Sequence, residues 1–411
     1  MKQTQPTQHE VREEADFLQP LSIGCGLDVH SKNIEGCIMA KGQKAALRSF
    51  GTITRELREL CAWIVDAKVE AVAIESTGIY WYGIYQLLTE AGIAVKLLNP
   101  ARVKQIPGKK TDTADCKWLC KLLMNGLVQG SFIPQGPQRQ LRELTRLRFK
   151  YVNLGSQTEN RLLKILERAN IKIRSVMSNI TTKSGMAITR ALAQGETDVE
   201  KLVALCKGKL RKKADRMRQA LDGLLTDEDR LQLRLLIKDQ EYYFSQIDEV
   251  ERLTESIAKD HFAEPVEIVD SIYGVGSTSA ISIIAEIGAD MSQFETADKL
   301  ASWSGLSPGN KESGGKRRNV RTIKGNRYIK PMLVQVAWTA VRAKTTYWSA
   351  QFYMLSKRMP AKKAIIAIAR KMLKMIHHLL LSKKKYVELG AQGYWDQVKN
   401  FAQNRLKPGI A

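Results

Sequence analysis

SIGCGLDVH, residues 22–30, decides how the first third of the chain is read. Ile23, Cys25, Leu27 and Val29 alternate with Gly24, Gly26 and Asp28, the period-two pattern of a β-strand with two unlike faces. One face is apolar; the other is bare until it ends on an acid. VEAVAIES, residues 69–76, repeats the arrangement, with Ala71 and Ala73 preceding Glu75 on one face. Small residues beside an acid on both strands leave room for a helix to approach the sheet closely. The candidate is the helix opening in KTDTADC, residues 110–116. Asp112 and Asp115 are three residues apart and share a helix face, which continues through Leu119 and Leu122. Seating those leucines on the sheet would bring both acids toward Asp28 and Glu75. Four converging carboxylates repel one another and are costly to bury ionised, a conflict that hard divalent cations such as Mg²⁺ resolve. Taken alone, Asp112 and Asp115 read more readily as an ordinary N-terminal helix cap than as a metal site.

Around these stretches, NIEGCIMA (33–40) and AALRSFG (45–51) predict strands, and ITRELRELCAWIVDA (53–67) and IYQLLTEAG (84–92) predict helices. IAVKLLNP (93–100) supplies a further strand. The order β-β-β-α-β-α-β-α predicts an α/β domain with a mixed sheet over residues 21–128, behind a polar N-terminal extension, 1–20.

The chain has 411 residues, room for two or three domains, and a formal charge of +23. An excess of that size suits a polyanion, most often nucleic acid. Acidic membrane surfaces come second, because no stretch approaches the roughly 18 apolar residues of a membrane helix and MKQTQPTQHEVREEADF lacks the apolar centre of a signal peptide. An intracellular, cytoplasmic protein is expected. The six cysteines, at 25, 37, 61, 116, 120 and 206, show no zinc-type CxxC spacing and are expected to be reduced, buried thiols.

PQGPQ, residues 134–138, marks a break, and 129–262 reads as a helical or coiled-coil spacer. From 138 to 168 a basic stripe of Arg139, Arg142, Arg146 and Lys150 runs beside the apolar one; it either tracks nucleic-acid phosphates or is a solvated face. A helix from Asp227, capped by Thr226, carries Leu236, Tyr243, Ile247, Val250 and Thr254 near coiled-coil spacing. It serves dimerisation or holds two domains apart.

Residues 263–385 predict a mostly helical domain, followed by a tail, 386–411. In IVDSIYGVGSTSAISIIAEIG, Gly274 and Gly276 lie between two apolar helical segments. They fit a helix-hairpin-helix element whose amides meet a phosphate, or a simple tight turn. Gly305-Leu306-Ser307-Pro308-Gly309 matches G-x-S-x-G, but Pro308 lacks the amide hydrogen that an oxyanion hole needs. Ser313 is the better serine. It opens Ser313-Gly314-Gly315 and is followed by Lys316, Arg317, Arg318, Arg321, Lys324, Arg327 and Lys330 without an intervening acid. Those cations either assist attack by the serine or only bind phosphate.

Asp28, Glu75 and the pair Asp112 and Asp115, in this order, resemble the RuvC-like version of the ribonuclease H fold. With GVGSTSAISIIAEIG, FETADKLASWSGLSP and SGGKRRNVRTIKGN, the chain resembles the DEDD transposases of the insertion-sequence "one-ten" family, also called bridge-RNA-guided recombinases. The resemblance implies that Ser313 is a nucleophile forming a phosphoserine, and that the four acids coordinate Mg²⁺ or Mn²⁺. It also implies a structured guide RNA that pairs with target and donor DNA, and a homo-oligomer, dimer or tetramer, with a composite active site. Two rivals remain: a RuvC-type junction resolvase or nuclease using water, with Ser313 only gripping phosphate, and a non-catalytic nucleic-acid scaffold.

Overall fold

The alternating stretch forms β1, Ile23–Val29, the middle strand of a five-stranded sheet. The computed structural model describes residues 21–75, 78–98, 112–128, 130–309, 312–313, 316–317 and 322–406. Within these ranges, the side chains at 112, 113, 312, 313, 316, 317 and 400–406 are outside the description. β1 pairs antiparallel with β2, Asn33–Ala40, which pairs antiparallel with β3, Ala46–Gly51. On its other side β1 runs parallel to β4, Ala71–Glu75, and β4 parallel to β5, Ala94–Leu98. Parallel pairs require crossovers, here α1, Thr54–Asp66, and α2, Trp81–Glu90. Leu60, Ile64, Ile84 and Leu88 of these helices share a core with Cys25, Leu27, Val72 and Ile74, the apolar side of the sheet. On the glycine and alanine side lies α3, Asp112–Met124.

Two compact units divide the chain, Met1–Ile133 and Pro134–Ala411. In the second, α4, Gly136–Arg168, packs along α8, Asp227–His261. Arg148 Nε donates to Glu251 Oε1 at 2.6 Å, and the Tyr151 and Tyr243 rings meet at 6.3 Å. The long helix expected to seek a second copy therefore has a partner in its own chain, so dimerisation is not needed to cover its seam. Between these two helices, α5, Lys183–Ala193, α6, Val199–Ala204, and α7, Ala214–Leu221, build a small module around Ile180, Met186, Leu202 and Met217. Thr226 does cap α8: its hydroxyl accepts from Asp229 N, and Asp229 Oδ2 accepts from Thr226 N, both at 3.2 Å.

Residues expected as a spacer, 129–262, and as a terminal domain, 263–385, thus fall almost wholly within one compact unit. Its remainder comprises α9, Ala263–Asp270, α10, Ser277–Ile287, α11, Ala297–Trp303, α12, Ile329–Arg342, α13, Tyr347–Ser356, α14, Ala361–Ser382, and α15, Gly390–Leu406. α14 is central: it touches α9, α11, α12 and α13, and it buries Ile365, Ile368, Met372 and Ile376. Part of its basic charge is offset where Arg370 and Lys374 donate to Asp298 of α11 at 2.7 and 2.9 Å. The expected tail carries α15, which packs on α13 through Tyr347 and Tyr394. Among the described residues no helix is long and apolar enough to cross a membrane.

Candidate functional site

The contact of α3 with β1 needs glycine. A Cβ at Gly26 would lie 2.2 Å from the Cys116 carbonyl oxygen and 2.6 Å from Cys120 N, and one at Gly24 would lie 2.8 Å from Met124 Cγ. Cys120 Sγ donates to Gly24 O at 3.2 Å. Ala71 and Ala73 pack against Leu119, Leu122 and Leu123. Because Met124 lies over Gly24 and Cys116 over Gly26, α3 runs antiparallel to β1. Its first turn, bearing Asp112 and Asp115, comes to the strand end where Asp28 and Glu75 stand. The parallel register pairs Leu27 with Ile74, so Asp28 and Glu75 follow as neighbours on the α3 side.

Asp28 is buried, with Oδ2 3.2 Å from Nε2 of His30. His30 was not singled out from the sequence, although its position two residues on puts it on the same strand face. Glu75 and Asp115 are half-buried. Among the described residues no three His, Cys, Asp or Glu side chains form a metal cage; the Asp112 carboxylate lies outside the description. In kind the donors fit, because carboxylates beside a wall of glycine and alanine supply the hard oxygen ligands that Mg²⁺ takes.

The nearby thiols belong to the packing of α3. Cys37, Cys116 and Cys120 are buried together under α3, and all described cysteines are free. A hydrogen bond from Cys116 favours the Cys37 thiolate, but Cys120 and burial outweigh it and push that thiol up to about 11. Cys116 is raised further, by its bond to Cys37 and by burial.

Ser313 lies in the second unit. β6, Glu312–Ser313, and β7, Lys316–Arg317, form a two-stranded ladder with Ser313 opposite Lys316. Gly314, Gly315, Arg318 and Arg321 lie outside the described residues, as do the side chains of Ser313, Lys316 and Arg317. The base of this loop is clasped shut. Pro308 bridges Thr322, Ile323 N donates to Ser307 O at 3.2 Å, and Asn326 N donates to Trp303 O at 3.1 Å. Gly305, at φ +76°, crosses Gly325 so closely that a Cβ on Gly325 would lie 2.2 Å from Gly305 N. Residues 305–309 follow helix α11 and enter this bridge, so the strand-to-helix turn of a nucleophile elbow is absent there.

Behind the loop sits an acid that sequence reasoning missed. Glu286 is 1% exposed. It accepts from Arg146 through Nε at 2.7 Å and Nη2 at 2.9 Å, and from Asn326 Nδ2 at 2.6 Å. Asn326 Oδ1 in turn accepts from the amides of Tyr328 and Ile329. One buried carboxylate thus ties α4 and α10 to the end of the serine loop.

This corrects the basic stripe. Arg142 is buried and donates to the carbonyls of Ala285 and Glu286 at 3.0 and 2.5 Å; burial lowers its pKa to about 10, against the pull of Glu286. It cannot track phosphates, because its donors are used inside the fold. Arg146 is committed to Glu286, and Arg139 pairs with Glu143 at 3.0 Å. Lys150, Lys324 and Arg327 are exposed. Gly274 needs a second correction. A Cβ there would lie 2.7 Å from Ala340 Cβ, so this glycine serves close packing against α12 rather than access for a phosphate. Gly276, ahead of α10, is exposed with nothing within 4 Å of a Cβ.

Comparison with known proteins places these features. A DEDD IS110 transposase family model matches residues 25–171, which include all four acids, and a model for transposases of the IS116/IS110/IS902 family matches 266–354, which include Ser313 and Glu286. The class so defined is a transposase, an enzyme acting on DNA. With both matched segments in one chain, the protein belongs to the DEDD transposases of the IS110 family. It is 25% identical over 321 residues to a probable family 20 transposase of Pseudomonas aeruginosa, covering 77% of this chain and 85% of that one. It is also 25% identical over 337 residues to the transposase for insertion sequence element IS1111A of Coxiella burnetii, covering 79% and 81%. Among solved structures, T. thermophilus RuvC in complex with a Holliday junction substrate aligns at 15% identity and a TM-score of 0.20, over 24% of this chain and 90% of that one.

Proposed function

We propose that this transposase is an RNA-guided recombinase that cuts and rejoins DNA strands through a phosphoserine. The observation that carries the proposal is the glycine-dependent seating of α3 on β1. It is what directs the Asp112 and Asp115 turn to the strand ends bearing Asp28 and Glu75. These four residues would hold Mg²⁺ or Mn²⁺, which when bound offsets charge on the phosphate oxygens. Ser313 Oγ attacks phosphorus and gives up its proton; the bond from phosphorus to the strand oxygen breaks, and that oxygen leaves as a hydroxyl after taking a proton. Attack by the hydroxyl of another strand then forms the new phosphodiester and returns the proton to serine. One phosphoester replaces another, so no ATP is consumed, in keeping with a sequence that has no G-x-x-x-x-G-K-[ST] loop.

Lys316, Arg317, Arg318 and Arg321 would stabilise the charge that develops during attack. A structured RNA pairing with target and donor DNA would choose the sequence, while the protein grips backbone and shape. In this proposal the acids of one copy meet Ser313 of another, within a dimer or tetramer.

The test incubates protein, Mg²⁺, element RNA and labelled target DNA and looks for a protein–DNA adduct under denaturing conditions. An adduct lost in both Ser313→Ala and Glu75→Ala is expected. Cleavage without adduct that survives Ser313→Ala would mean a water-using nuclease; neither product would mean a scaffold.

A further inference from the structure

Beside the Glu286 cluster a groove of about 510 Å³ opens, lined by Phe149, Lys150 and Asn153 of α4 and by Arg327 and Tyr328 ahead of α12. Phe149 is 39% exposed in the middle of these polar groups. Its ring stands at 79° to that of Tyr328, centroids 5.6 Å apart.

Tyr328 is a fixed wall. The Arg146 guanidinium, itself locked to Glu286, lies 4.4 Å from the ring centre. Asn326 Oδ1 accepts from Tyr328 N at 2.8 Å, and Arg327 Nη2 donates to the Tyr328 hydroxyl at 2.8 Å. Arg327 is thereby held beside the Tyr328 ring, its guanidinium 5.0 Å from the ring centre, and both Arg327 and Lys150 of α4 are exposed. Among the described residues Glu143 is the one acid lining the groove, and it pairs with Arg139.

An open aromatic ring between two rim cations and an amide suits a ligand with a flat π face, hydrogen-bonding edges and a nearby negative charge. A nucleotide has all three. Every base has a π face to stack, and phosphate meets the cations. A base inside a duplex has both faces covered by its neighbours, so only an unpaired one can enter.

We propose that this groove binds an unpaired nucleotide, its base stacked on Phe149, its edge on Asn153 and its phosphate on Arg327 and Lys150. The proposal rests on the nucleic-acid function above and adds a preference for unpaired strand. RNA and DNA offer the same chemistry here, and the test separates them.

Full-length protein and its Phe149→Ala and Phe149→Trp variants are titrated with three labelled probes: a short single-stranded DNA, the same sequence as RNA, and a blunt, fully paired DNA duplex. Phe149→Ala is expected to weaken binding of at least one single strand by about tenfold or more, to leave the duplex within about twofold, and to be rescued by Phe149→Trp. Loss on RNA alone, on DNA alone or on both supports the groove and identifies its source. An equal loss on all three probes, no loss, or a loss that tryptophan does not rescue overturns it. If the native protein binds none of the probes, the nucleic-acid function itself fails; if duplex binding persists without a selective loss, only the groove fails.

Discussion

Arg146 grips the buried carboxylate of Glu286 with two parallel hydrogen bonds, at 2.7 and 2.9 Å, across 140 residues of sequence. The bidentate geometry is the strongest that arginine and carboxylate form. Removing the acid would leave Arg142, 7% exposed, with its charge uncompensated. Glu286→Ala is therefore expected to destabilise the second unit by about 3–5 kcal/mol, the usual cost of breaking a buried ion pair. The urea midpoint followed by circular dichroism measures it. Arg139→Ala, which removes an exposed pair on the same helix, should cost less than about 1 kcal/mol.

Gly26 carries a different kind of constraint. An alanine there meets backbone at 2.2 and 2.6 Å, and backbone cannot rotate away as a side chain can. Gly26→Ala should push α3 off β1 and cost at least the 1–3 kcal/mol typical of overpacking; if Asp112 and Asp115 belong to the metal site, it should also abolish DNA strand transfer by moving them. Gly276→Ala, with open space around its Cβ, should leave the unfolding free energy from the urea titration within about 0.5 kcal/mol of native. An intact α3 seat in Gly26→Ala, read from unchanged stability and activity, would refute the packing account.

These two clusters also mark what a linear reading can and cannot see. Strands β1 to β5 and the close approach of α3 were legible because period-two alternation and small residues are local signals. Glu286 was not, because it lies in an apolar helical run and its partners Arg146 and Asn326 are 140 and 40 residues away. For the same reason Arg142 and Arg146 read as a solvent-facing stripe. A helix face shows where side chains point, not whether an acid from elsewhere waits there. Likewise, nothing within 227–261 announces that α4 covers it, and Gly274 looks like a phosphate contact until Ala340 is seen against it.

The thiols offer a direct check of the first unit's core. Cys25, Cys37, Cys116 and Cys120 are fully buried, and burial raises Cys25 and Cys61 above the ordinary thiol range. A disulfide reagent reacts with exposed thiolate. At about pH 8 the folded chain should react at no cysteine except Cys61, which is partly exposed, whereas all six should react in guanidinium. Fast labelling of Cys116 in the native protein would contradict the position of α3.

Asp229 should make the second unit acid-sensitive. A hydrogen bond from Arg168, with Thr226 N adding to it, holds its carboxyl below the usual range. The folded pKa lies under the unfolded value of about 3.9, so the stabilisation is complete above that value and is lost as pH falls through the folded pKa. Asp229→Asn should lower stability near neutrality by about 1 kcal/mol, the scale of a lost helix cap. The gap between the two proteins should close as pH drops below about 4. Urea midpoints taken across that range decide it, since a gap that stays constant in acid would remove Asp229 from the ledger of titrating groups.

Gly325 tests whether the clasp at the base of the serine loop matters to chemistry. Its backbone crosses Gly305 with no room for a methyl group, since the nearest atoms are Gly305 N at 2.2 Å and Gly305 Cα at 2.4 Å. Neither residue lies in the ladder that bears Ser313, so Gly325→Ala leaves the serine itself unaltered and shifts only the anchorage that positions its loop. If Ser313 forms the phosphoserine, splaying the clasp should cut adduct formation by about 100-fold, as a displacement of about 1 Å at a reacting centre does. Binding of duplex DNA, which depends on cations spread over the surface, should change by less than about threefold. The two readouts, adduct yield on a denaturing gel and duplex affinity at fixed salt, are separable in one preparation. Parallel loss of both would mean that the clasp holds a binding surface and not a reacting serine.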